Sequence, residues 1–170
     1  FNVSFISFGS AIGIILSQYL GAGNKQEAKK ASLKLLWFSV FVVVLIGAAM
    51  MLFAPLFPEI YNTTDEIKAL STRLLFCVAA FMPVHAFTNA TYFTMRSGGK
   101  TFITFLFDSG FMWVVSAPIA FCLSRFSSMP IVPLYILVLS ADFIKCVVGY
   151  IFVKKGVWLN VVVNTKGSQQ

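Results

Sequence analysis

Hydrophobic residues run along this chain in five long blocks separated by short polar stretches. Three blocks carry no charge: Phe1 to about Leu20, Leu35–Phe57 and Leu74–Met95. Two more, Thr101–Ser124 and Pro130–Val153, are interrupted only by Asp108 in the first and by Asp142 and Lys145 in the second. Each block is close to the ~20 residues that a helix needs to cross a hydrocarbon core of about 30 Å. None alternates polar and apolar residues over the ten or so positions of a barrel strand. The pattern predicts an all-α fold, a polytopic membrane helix bundle with five transmembrane helices.

The breaks between blocks carry helix-ending and helix-starting chemistry. Gly21-Ala22-Gly23-Asn24 closes the first block with residues that tolerate left-handed dihedrals. Lys25–Lys34 sets Ala28, Ala31, Ser32 and Leu33 among four lysines, which predicts a short interfacial helix leading into the second span. Pro55 and Pro58 end that span, and Asn62-Thr63-Thr64-Asp65 is a start signal with Asp65 and Glu66 near the positive helix end. Ser97-Gly98-Gly99 predicts a tight turn between the third and fourth spans. Pro83 falls near the middle of the third and Pro118 inside the fourth, where each removes one backbone hydrogen bond. Such breaks recur in transporters, and they are also simply tolerated in membrane helices.

Composition sharpens the picture. Of 170 residues, 58% are hydrophobic and 11% charged, and mean hydropathy is +0.85. A soluble domain carries roughly a quarter charged residues, so this chain has too few to cover a water-facing surface. A soluble enzyme, a nucleic-acid module and a disordered tail are excluded on that ground. The formal charge of +7 then reads as basic loops rather than as a nucleic-acid footprint. With five spans, one side holds Lys25, Lys29, Lys30, Lys34, Arg96, Lys100, Lys154, Lys155 and Lys166, and the other Lys68, Arg73 and Arg125. Nine against three places the first side, with the C-terminal tail 154–170, in the cytoplasm of a bacterial inner (plasma) membrane. The first span then enters from outside with no basic flank or signal peptide before it, so at least one earlier helix is expected upstream.

Few residues inside the spans carry chemistry. Asp108 is the eighth residue of the fourth span, about 12 Å from its cytoplasmic end at ~1.5 Å per residue, and has no base at i±3 or i±4. A membrane acid of this kind either takes a cation or proton or accepts bonds from a neighbouring helix. Asp142 has Lys145 one turn later on its own face, an arrangement expected to neutralise itself as a structural ion pair. His85 follows Pro83 by two residues and is either a hydrogen-bonded core residue or a titrating one. With one histidine and Cys77, Cys122 and Cys146 far apart in apolar runs, no metal centre and no catalytic arrangement is expected; the cysteines read as small packing residues.

In order along the chain, several of these segments resemble the multidrug and toxic compound extrusion (MATE) family. Leu20-Gly21-Ala22-Gly23-Asn24, followed by Glu27-Ala28, is similar to the loop after the second helix of each lobe in that family. Arg96-Ser97-Gly98-Gly99-Lys100-Thr101 resembles its Arg-x-Gly-Gly-x-Thr cytoplasmic loop, marking Arg96, Gly98, Gly99 and Thr101. Asp108, Trp113 and Pro118 follow in a similar order, and then Asp142-Phe143-Ile144-Lys145 and Trp158-Leu159-Asn160. The resemblance implies the last five helices of a second six-helix lobe (residues 1–153), acting with an N-terminal lobe to export cationic small molecules against inward Na⁺ or H⁺. It implies no cofactor beyond that ion; the ionisable residues inside the spans, Asp108, Asp142, Lys145 and His85, are the candidates for coupling or substrate contact. Some members carry acidic ligands in other helices of this lobe, whereas spans one to three here contain no acid.

Three other functions compete. A lipid-linked saccharide flippase of the same superfamily would need several basic residues lining its cavity, and only Lys145 lies well inside a span. A membrane enzyme would need polar residues clustered at a membrane edge, which the sequence does not offer; a non-transporting scaffold would need none. Membrane lipid is the expected surroundings, and nucleic acid is not an expected partner.

Overall fold

The computed structural model describes residues 2–61, 64–126 and 130–159. These residues form α1 (Asn2–Gly21), α2 (Lys25–Phe53), a single turn α3 (Leu56–Glu59), α4 (Asp65–Ser97), α5 (Thr101–Phe105), α6 (Ala117–Phe126) and α7 (Ile131–Lys155). Two π-helical stretches, Leu106–Gly110 and Met112–Ser116, join α5 to α6 into one rod. Five rods are long and apolar enough to cross a membrane: Val3–Gly21, Lys25–Phe53, Asp65–Ser97, Thr101–Arg125 and Ile131–Lys155. Asn62, Thr63 and Asn160, parts of the predicted cap and of the tail motif, lie outside the described residues, as does Lys166.

The sequence-predicted interfacial helix is not separate. Lys25 to Phe53 is one helix of 29 residues, because the buried seam Ala28, Ser32, Leu36, Ser39, Val43, Gly47 and Met50 continues without a Gly or Pro before Gly47. That seam repeats every three to four residues, so a single face of α2 meets its neighbours along the whole rod. The hydroxyls on it are spent locally: Ser32 donates to the Lys29 carbonyl (2.8 Å) and Ser39 to the Leu36 carbonyl (2.7 Å), leaving no unpaired donor in an apolar interface.

Helix α4 is the hub, packed against α1, α2 and α7, while the fourth rod lies outside, held mainly through α7. Two buried clusters fill the junctions: Phe5, Val43, Met50, Ala79, Met82 and Ala86 at one end, and at the other a larger group around Leu16, Leu36, Ala90, Met95 and Trp158. Pro83 does not end α4, which runs through it. The proline has no N–H to offer the Ala79 carbonyl four residues earlier. Gly47 lies opposite that oxygen, where an added Cβ would come within 3.2 Å, so the freed acceptor faces the bare backbone of α2. Pro118 is accommodated differently. The Ala117 N–H reaches back five residues to Met112, and the widened turn leaves room for the proline ring one residue later.

Helices α1 and α7 end in the same way. Gly23 (φ 77°) and Gly156 (φ 70°) take left-handed backbones that few side chains tolerate. The Asn24 N–H then donates to Tyr19 and the Val157 N–H to Phe152, closing two Schellman ends. The second of these turns Trp158 back under the bundle, where it is only 1% exposed among residues of α1, α2 and α4.

Candidate functional site

The charged groups inside the spans meet where α4, α7 and the fourth rod converge. Lys145 on α7 donates to Asp108 Oδ1 across to the π-helical stretch, with Nζ and oxygen 2.7 Å apart. The lysine is largely buried, with its side chain 13% exposed, whereas that of Asp108 is 53% exposed. Phe107 and Phe111, four residues apart and flanking Asp108, present their rings to the same ammonium at 5.3 and 5.9 Å from the ring centroids. One carboxylate and two aromatic faces thus enclose one cationic group.

On the other side of α7, Asp142 Oδ2 lies 3.4 Å from His85 Nδ1 on α4. The Phe5 ring of α1 covers the imidazole at a centroid separation of 6.5 Å. Below them, Cys146 donates its S–H to the Val84 carbonyl at 3.7 Å, another contact made just after Pro83.

This pairing corrects the one expected from spacing. Asp142 and Lys145 do not pair with each other; each crosses to a different helix. Asp108, without a base nearby in sequence, is the acid that holds the lysine. Helix α7 lies between α4 and the fourth rod, so the two residues find closer partners across helices than along their own. Sequence spacing reports only intrahelical neighbours, which is why it missed the exchange. Phe107 and Phe111 were not singled out either, although their i,i+4 spacing around an acid was a visible signal.

Beside the lysine, an apolar cavity of about 380 Å³ opens between α7 and the fourth rod, with Phe107, Gly110, Phe111, Val115 and Val148 in its wall and Lys145 as its charged group. Its size falls within the range of small-ligand sites. A larger open groove of about 710 Å³ runs between α1 and α4, past Ser17, Gln18, Phe93 and the exposed Arg96. Arg96 therefore stands apart from the charged cluster.

The two glycines of the Arg96–Thr101 motif shape its turn. Gly99 has φ 74°, and a Cβ on Gly98 would overlap the Trp158 backbone. Thr101 begins α5 and is exposed. The cysteines, expected as packing residues, divide: Cys77 and Cys146 are half-buried, but Cys122 is exposed on α6.

The model of the family described as MatE matches residues 2–122, from α1 through the π-helical stretches and into α6. The chain belongs to the MatE family. No curated protein and no solved structure matches it. MatE proteins are membrane transporters of the MATE superfamily, so the five apolar rods of this MatE chain are spans of a multi-pass transporter bundle. Asp108 and His85 lie inside the matched segment, and Asp142 and Lys145 on α7 lie beyond it.

Proposed function

We propose that this MatE chain belongs to a secondary active antiporter that exports organic cations or drugs in exchange for inward Na⁺ or H⁺, and that its spans work with a partner lobe around a shared pathway. The observation that carries the reading is the pair of carboxylates, Asp108 and Asp142, held inside spans by bases from neighbouring spans. Ionisable groups at that depth cost ~2.5–3.5 kcal/mol on insertion scales, so they mark ion or substrate pathways. The test is uptake of ethidium into everted vesicles containing the intact transporter. Collapse of uptake by a protonophore or by removal of the Na⁺ gradient supports the antiport; uptake that follows ATP and ignores both gradients refutes it.

The proposed orientation puts the lysine-rich ends in the cytoplasm of the bacterial inner membrane. Asn24 and Tyr61 are exposed on opposite sides of the bundle. With Cys77, Cys122 and Cys146 replaced, Asn24→Cys is expected to react with an impermeant maleimide only from the cytoplasmic side and Tyr61→Cys only from outside. The reverse pattern would overturn the orientation.

A further inference from the structure

The contacts of the Lys145 ammonium make up a cation site: a carboxylate oxygen at 2.7 Å, two aromatic faces at 5.3 and 5.9 Å, and an adjoining apolar cavity of about 380 Å³. A lipophilic ammonium or phosphonium needs the same three things, namely a counter-charge, ring faces and room for its apolar body. The site is half-open at Asp108, so an incoming cation reaches the carboxylate from the exposed side while Lys145 holds it from the buried side.

Lys145 also has somewhere to go. Asp142 lies three residues earlier on α7, close enough for an i,i+3 pair, and its present contact with His85 is long at 3.4 Å. The charge count favours such a move. Two carboxylates and one ammonium leave the cluster one positive charge short when His85 is neutral, so it has capacity for one more monovalent cation. With the lysine on Asp142, both acids are compensated once a cation sits on Asp108. A membrane interior, where uncompensated charge is expensive, favours that arrangement.

We propose that Lys145 is a tethered stand-in for the transported organic cation, occupying the Asp108, Phe107 and Phe111 site until substrate displaces its ammonium to Asp142. The proposal rests on the cation-export reading and adds the place where the cation is held and the group that competes for it. Lys145 is then a specificity-determining residue: it sets how strongly a cation must bind to enter, and by returning to Asp108 it expels the cation.

The test measures binding of tetraphenylphosphonium to the purified intact transporter, separately from transport. Removing a structural lysine weakens binding, whereas removing a competitor strengthens it. Lys145→Gln is therefore expected to tighten the dissociation constant about tenfold, which is ~1.4 kcal/mol, while Lys145→Arg stays near wild type. Asp142→Asn takes away the alternative resting place and is expected to weaken binding, and Asp108→Asn combined with Lys145→Gln to abolish it. If Lys145→Gln is destabilised, Asp142→Asn provides the same comparison with the lysine intact. Unchanged or weaker binding by a folded Lys145→Gln protein overturns the proposal, as does wild-type binding by Asp142→Asn. Gradient-driven efflux alongside such a result leaves the exporter reading intact, whereas tightened binding without any efflux removes that reading and keeps the site.

Discussion

Asp108→Asn is expected to reduce ion-driven efflux to the level of vesicles without transporter, while the protein remains inserted and folded. The amide preserves shape and still offers an oxygen to Lys145, but it loses the charge that attracts a cation and the capacity to take a proton. The stability cost is that of weakening one charged hydrogen bond to a largely buried ammonium, about 1–3 kcal/mol. Asp142→Asn separates chemistry from packing. Its nearest base is His85 at 3.4 Å, a longer contact than the 2.7 Å of the Asp108–Lys145 pair, so its loss is expected to cost less stability. Reading from spacing alone would make Asp142 the holder of Lys145 and its removal the more damaging for folding; the cross-helix pairing reverses that order. The measurement is efflux normalised to folded protein, with melting followed by size-exclusion fluorescence. Wild-type efflux by Asp108→Asn would eliminate it as a coupling site.

Trp158→Ala is expected to cost the bundle about 3–5 kcal/mol, the usual range for emptying a buried aromatic site. The tryptophan lies beyond the last helix, at 1% exposure between α1, α2 and α4, so its loss detaches the C-terminal segment and opens the end where three helices meet. Gly98→Val probes the same contact from the opposite side, because any Cβ there overlaps the Trp158 backbone. Gly99→Ala is the calibrating variant: it meets only the strain of a left-handed backbone, ~1–2 kcal/mol. Thermal melting of the three variants should rank Gly99→Ala as the mildest. Wild-type melting by Trp158→Ala would mean that the tail does not hold the bundle together.

The sequence made the number of spans legible because lipid imposes one length on every crossing and excludes charge from each. Its helix ends were legible where glycine takes a left-handed turn, as at Gly23 and Gly99. Three features were not. The interfacial segment and the second span merged because lysines on the outer face do not interrupt a seam of Ala28, Ser32 and Leu36 on the inner one. The role of Trp158 was hidden because a tail after a basic helix end reads as solvent-facing, and only the Gly98 notch shows where it fits. The site was legible as a set of residues, Asp108, Asp142, Lys145 and His85, but not as pairs. Which acid meets which base depends on α7 lying between two other helices, and no local pattern encodes that.

The fourth rod has a consequence of its own. In its π-helical stretches the N–H of Phe111 reaches back five residues to Leu106, and that of Ala117 to Met112, so each wide turn holds one more residue than the ladder requires. Such a surplus behaves like a dislocation in a crystal. It can pass along the rod by exchanging one backbone hydrogen bond at a time, each worth ~1 kcal/mol net, without the rod being cut. A residue that the surplus passes swings by about 100°, the angle between successive side chains on a helix. Asp108 sits inside the first wide turn, so a shift of that surplus along the rod would turn its carboxylate away from Lys145 on α7.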